Sequence, residues 1–241
     1  MKELLLDNIS NNFVVDKNEN FFINNFDGEK DIEITLNEDV ESSLSLLSLS
    51  GFKGNINIKI NKNSRLEIYY ADFAKNLSKT NVSVSLEEGA KVIFHLASLT
   101  EENSDKSFTV SVDHDAVNTY SLIDNYGVVK GNGKLVFDGT SYIKNGSVKS
   151  KTRQSAKIMV FDEKSIGIAK PILKIDENDI EASHGAVVGK ISDEHLFYLM
   201  SRGLSEEKAK ILITYGYLKP IMNGFDENVQ KTIDQLIEGR M

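Results

Sequence analysis

The sequence predicts a mainly β chain, a β-solenoid followed by a small α-helical domain. Three observations carry this. From Asp31 onward, short segments alternate apolar and polar residues. Each alternating segment ends in a polar turn, and the endings recur every 24 to 26 residues. After residue 191 the alternation stops and apolar residues return at helical spacing. Alternation with period two places one face of a strand in a core. Recurrence at a fixed interval means stacked supersecondary units in which each coil buries its apolar face against the next.

Residues 1–30 read as lead-in strands, built on Phe13-Val14-Val15 and Phe21-Phe22-Ile23, with turns near Asn24 and Gly28. Residues 31–191 form the repeating β-helix core. Ile32, Ile34 and Leu36 precede Asn37-Glu38-Asp39; Ile56, Ile58 and Ile60 precede Asn61-Lys62-Asn63. Val82, Val84 and Leu86 precede Glu87-Glu88-Gly89, and Phe108, Val110 and Val112 precede Asp113-His114-Asp115. The row Leu36, Ile60, Leu86 and Val112 continues to Val136 and Val160. Further strands lie between, at 44–49, 66–70, 92–96 and 120–129, with tight corners at Gly127, Gly131 and Gly133. Ile172, Ile175 and Ile180 form a last short strand set, and 181–204 is a hinge between two architectures. A β-sandwich also carries many short strands at regular spacing and is the alternative on this pattern.

Residues 192–241 form the helical domain. Ser192 caps a first helix with Asp193 and Glu194 in its first turn, where the helix dipole favours them. Leu196, Leu199 and Met200 form its stripe, and Gly203 is its stop. Ser205 starts a second helix with Ala209, Leu212 and Ile213 on one face; Asp226 opens a third that ends at Gly239. Helices this short need the solenoid or a partner to bury their stripes.

Composition narrows the function classes. The 241 residues carry a net charge of −8, with 40% hydrophobic and 27% charged residues. That disfavours a general binder of nucleic acid or membrane surface, which needs a basic face. Cysteine is absent, so no thiolate nucleophile, thiolate metal site or disulfide comes from this chain. No window holds the ~18 apolar residues of a membrane span, and the short apolar run after Met1 is no signal peptide. Cytoplasmic is the default expectation.

Few motifs carry chemistry. Gly131-Asn-Gly133-Lys134 fails the phosphate-loop pattern, because Val128 and Leu135 occupy required positions. Glu87, Glu88, Asp113 and Asp115 occupy matching turn positions, which read as solvated corners rather than a row of glycan-cleaving carboxylates. His95 reads as a strand residue, His114 as part of an acidic turn and His195 as a structural residue in a first helical turn. His184 stands out. It follows an acidic strand and precedes Gly185, where the backbone is expected to change direction, and imidazole can ligate metal or carry a proton.

Ser183-His-Gly-Ala-Val-Val-Gly189 followed by Leu196-Phe-Tyr-Leu-Met-Ser-Arg-Gly-Leu204 closely resembles the C-terminal signature of the SufB/SufD family. These are scaffold subunits of the SUF iron–sulfur cluster assembly machinery, and the match is nearer to the SufD members. Lys151-Thr152 and Lys170-Pro171-Ile-Leu-Lys-Ile175 resemble the family's last coils, so the likeness covers about residues 150–218.

The resemblance implies a right-handed parallel β-helix and a C-terminal helical domain. It also implies docking of a SufC-type ABC ATPase on the helices, through Phe197, Tyr198, Ser201, Arg202 and Gly203. Pairing with a SufB-like subunit, or with a second copy, through the last coils is implied as well. So is a role for His184, with Glu181 as a weaker candidate, at a transient iron–sulfur cluster on the subunit interface. The family's cysteine two residues before the histidine is Ala182 here. The expectation is a non-enzymatic scaffold without nucleic-acid or membrane partners. A β-helix carbohydrate-active enzyme or binding module and a purely structural homodimer are the alternatives.

Overall fold

The computed structural model describes residues 1–6 and 12–240. Residues 7–11 of the expected lead-in and residue 241 of the expected helical domain lie outside the described residues.

Two parallel sheets face each other and form a β-solenoid of about six turns. Sheet A contains β1 (Lys2–Leu4), β3 (Asn20–Ile23), β6 (Glu41–Ser48), β8 (Arg65–Asp72), β10 (Lys91–Thr100), β12 (Tyr120–Val129), β14 (Lys151–Val160) and β16 (Glu181–Lys190), in that order. Sheet B runs from β15 (Ile166–Ile175) through β13 (Lys134–Ile143), β11 (Asp105–His114), β9 (Ser78–Leu86), β7 (Phe52–Ile60) and β5 (Ile32–Leu36) to β2 (Asn12–Val15). The two-residue β4 (Gly28–Glu29) pairs with β7 beside this path. The chain alternates between sheets, so each strand pairs with the one before it in the same sheet. The strands within 1–30 already belong to these two sheets.

Alternating side chains fill the space between the sheets. Ile34, Leu36, Ile58, Ile60, Val84, Leu86, Phe94, Leu96, Phe108 and Val110 belong to one continuous buried cluster. Leu36 pairs with Ile60, Ile60 with Leu86, Leu86 with His114, His114 with Ile143, and Ile143 with Ile175. A coil therefore takes 24, 26, 28, 29 and then 32 residues, and the solenoid widens along the chain. This corrects the expected row of anchors. Val112 lies two positions short of the row, Val136 pairs with Ser107, and Val160 belongs to the other sheet. The interior changes with the width. His114, Ser121, Ser141, Thr152 and Gln154 are all buried where earlier coils carry Ile, Leu and Val.

Three further readings are corrected. The last strand is β16, so the first ten residues of the expected hinge continue the sheet in register with β14. The backbone does not turn at Gly185. The segment around Ile172 and Ile175 is the ten-residue strand β15, and Ile180 follows it in a loop. Gly127 is a strand residue, and a Cβ there would fall 2.3 Å from Leu135 Cδ2. Gly131 does lie in a turn, at φ +63°.

The helical unit comprises α1 (Asp193–Ser201), α2 (Glu206–Leu218), a 3-10 helix (Lys219–Gly224) and α3 (Glu227–Glu238). Ser192, Ser205 and Asp226 cap the three α-helices by accepting from N–H groups of their first turns. Leu218, Ile221, Phe225, Ile233 and Ile237 form a second core with Phe22, Leu47, Ala71, Phe73, Ala97, Leu99, Val128 and Met159 on the outer face of sheet A. Ser45 Oγ donates to Gly224 O at 2.5 Å, and Phe22 meets Phe225 edge to face at 5.9 Å. Leu212 departs from the expected stripe, being 51% exposed; Ala209, Thr214 and Leu218 are the buried residues of α2. No helix among the described residues is long and apolar enough to cross a membrane.

Candidate functional site

The last coil ends the solenoid without a cover. β15 and β16 are the edge strands of their sheets, so each leaves a row of backbone N–H and C=O groups without a sheet partner on its outer side. Nearly every residue of β16 is exposed. Ile166, Ile172, Ile175, Val187 and Val188 are exposed large apolar residues on these two strands. An uncapped edge with apolar side chains is a template for another chain.

The register fixes where His184 points. It pairs with Gln154, as Ala182 does with Thr152 and Val188 with Ile158. Those β14 residues are buried between the sheets, and parallel partners share a face. His184 therefore faces the mouth of the last coil and is exposed because no further coil covers it. Across the mouth, a Cβ on Gly167 would lie 2.7 Å from Ile158 Cγ2 and 3.1 Å from Val188 Cγ1. Gly167 thus lets β15 and β16 close on each other below the histidine.

Glu181 lies three residues away on the opposite face of β16. It pairs with Lys151 in register and forms an exposed ion pair with its Nζ at 2.7 Å. The strand therefore does not bring Glu181 and His184 together. Among the described residues, no group of three or more His, Cys, Asp or Glu is arranged to hold a metal ion.

The helix α1 buries no residue. Phe197 is 74% exposed and Tyr198 56% exposed, and Met200 and Leu212 are also exposed. The guanidinium of Arg202 stacks over the Tyr198 ring at 5.3 Å, and Ser201 Oγ donates to Tyr198 O at 2.8 Å. Gly203 follows at φ +92°, a conformation that only glycine adopts without strain.

Two histidines that the sequence reading set aside are built into the fold. His95 stacks on Tyr69 at 5.0 Å between Glu67 (3.7 Å) and Asp124 (3.9 Å). Burial lowers its pKa despite both carboxylates. His114 is 0% exposed, with Nδ1 hydrogen-bonded to Thr119 Oγ1 at 2.7 Å and Nε2 to Ser121 Oγ at 2.9 Å. From Ser121 the hydrogen bonds continue to Thr152 (2.7 Å) and Ser141 (2.8 Å). Gln154 Nε2 donates to Ser141 Oγ at 2.7 Å and to Ile172 O at 3.0 Å. The polar interior thus reaches the coil beneath His184. The coil-by-coil position of His114, in register with Leu86, was the signal that pairing its turn with Asp113 and Asp115 obscured.

Comparison with known proteins agrees with this architecture. The family model for the SUF system FeS cluster assembly, SufBD core domain, matches residues 52–217. The iron-sulfur cluster assembly protein SufD of Bacillus subtilis is 38% identical over 117 residues, 48% of this chain and 27% of that protein. An iron-sulfur cluster assembly SufBD family protein of Mycobacterium tuberculosis is 32% identical over 128 residues, 53% of this chain and 15% of that protein. One from Staphylococcus saprophyticus is 30% identical over 128 residues, 28% of its length. The matched part is under a third of each of these relatives. With the family model covering most of the chain and running from β7 to α2, this protein belongs to the SufBD core family of the SUF iron–sulfur cluster assembly system.

Proposed function

We propose that the chain is a SufD-like, non-enzymatic scaffold subunit that pairs through its uncapped last coil and docks a SufC-type ABC ATPase on its first helix. The observation that carries this is the bare end of the solenoid, where, among the described residues, no further strand pairs with the outer edges of β15 and β16 and no further coil covers the inward-facing His184. A SufB-like subunit, or a second copy, would continue the sheets there and cover His184. A transient iron–sulfur cluster is then cargo at that interface, with the partner supplying donors this cysteine-free chain lacks. The exposed Phe197 and Tyr198, the latter stacked under Arg202, supply the aromatic anchor that stable interfaces favour. A cytoplasmic setting belongs to the same reading.

The test is size-exclusion chromatography with light scattering of the full chain, mixed with the SufC-type ATPase and the SufB-like subunit of the same source. Association with the ATPase is expected and should be lost in Phe197→Ala/Tyr198→Ala, while pairing with the SufB-like subunit persists. Val187→Lys should do the reverse. ATPase binding that survives the double substitution would refute the docking surface. The point variants are preferable to removing the helices, because α2 and α3 cover sheet A.

A further inference from the structure

A second site lies on the outer face of sheet A, beside the strands' N-terminal ends, where the helical unit does not reach. Arg65, Lys91, Tyr120 and Lys151 stand in one register row across β8, β10, β12 and β14. At about 4.8 Å per strand the row is roughly 14 Å long. Lys149 joins it from the adjoining corner. Together these residues line an open groove of about 450 Å³, with Ile93 and the Tyr120 ring among its walls.

The charges in this row are unevenly compensated. Arg65 pairs with Glu41 at 3.3 Å and Glu67 at 3.4 Å, and Lys151 with Glu181 at 2.7 Å. Lys91 and Lys149 are exposed and, among the described residues, have no carboxylate within ion-pair distance. The groove therefore concentrates two uncompensated ammonium groups on a chain whose net charge is −8. A phosphate ester carries about −1.5 to −2 charges at neutral pH and accepts several hydrogen bonds, which matches two ammonium groups. The groove volume falls within the ~300–1,000 Å³ typical of small-molecule pockets. Tyr120 and Ile93 offer a flat, partly apolar wall for the remainder of such a ligand.

We propose that this groove binds a small phosphate-bearing molecule, with Lys91 and Lys149 holding the phosphate and Arg65 and Lys151 framing it. The proposal does not depend on ATPase docking or on pairing through the last coil.

Isothermal titration calorimetry at about 50 mM salt tests it, with inorganic pyrophosphate and adenosine monophosphate as probes. The full chain is compared with Lys91→Ala/Lys149→Ala and with Lys53→Ala/Lys79→Ala, a control pair on sheet B. At least one probe should bind the full chain. Its affinity should fall about tenfold or more in the first variant and less than about twofold in the control. Pyrophosphate binding as tightly as the nucleotide would support recognition of the phosphate itself. Tighter nucleotide binding would support the added Tyr120 wall. Melting temperatures establish that the variants fold, and the milder Lys91→Gln serves if the double variant does not. Absence of binding by both probes up to about 10 mM, or equal losses in variant and control, would overturn the proposal.

Discussion

His114 makes stability depend on pH in a window where few other groups titrate. The side chain is fully buried in the widening part of the solenoid, and burial pushes its imidazole from 6.5 down to about 4, outweighing the opposing charge of Asp115. The unfolded chain therefore binds a proton more readily than the folded one between those values. Stability from this group is present above about pH 6.5 and is lost as pH falls toward 4. At roughly 1.4 kcal/mol per pH unit, the loss reaches about 2 kcal/mol between pH 7.5 and pH 5, before most carboxylates protonate. Burial gives the reason: the two ring nitrogens meet only the neutral hydroxyls of Thr119 and Ser121, so a protonated ring would place a charge in the interior with no carboxylate bonded to it. Urea unfolding followed by circular dichroism at the two pH values measures the loss, and His114→Gln should remove most of it by substituting an amide that does not titrate. An NMR titration in which the His114 ring remains neutral down to pH 5 checks the same point without a variant. A His114→Gln chain with the wild-type pH slope, or a ring that titrates near 6.5, would refute the reasoning.

Other perturbations follow from the same packing. Lys106 and Asp72 form a fully buried pair at 2.5 Å, with Leu99 O and Ser78 Oγ completing their hydrogen bonds. Lys106→Met should cost about 3–5 kcal/mol by stranding the carboxylate; a urea-unfolding loss below about 1 kcal/mol would contradict the burial. A Cβ at Gly224 would fall 2.0 Å from Tyr69 Cγ, so Gly224→Ala should push the helical unit off sheet A. Faster amide hydrogen exchange across residues 219–238 would show it, and unchanged exchange would argue against that contact. Gly167→Ala should cost about 1–3 kcal/mol through overpacking against Ile158, lowering the melting temperature by several degrees. Gly185→Ala, with nothing within 4 Å, should leave it unchanged.

Much of this fold was legible because local and global signals agree. Ile32, Ile34 and Leu36 and their successors alternate cleanly, and Ser192, Ser205 and Asp226 start helices where capping chemistry demands. The widening of the coils was not legible. Residues are added between anchors without disturbing the alternation, so Val136 and Val160 satisfied a constant period while lying off the true row. The strand β16 was hidden for a different reason. It lies at an edge where small residues suffice, and Gly185 and Gly189 therefore resembled turns. Leu47 is buried by the helical unit on the outside of sheet A, a partner that strand alternation alone does not reveal. At the candidate site, the motif around His184 was visible, but its direction depended on pairing with Gln154, which only the register supplies.

The second core has a mechanical consequence. In a solenoid each coil touches only its neighbours, so the ends are free to fray one coil at a time. Here the helical unit shares one core with residues of β3, β6, β8, β10, β12 and β14. It acts as a splint laid across the stack, and Arg240 Nη1 reinforces it by donating to Phe73 O. Coils far apart in the stack are thereby coupled through a common brace, and melting should proceed with more cooperativity than a one-dimensional array allows. A load applied to the helices would be shared among six strands of the stack instead of peeling the last coil away.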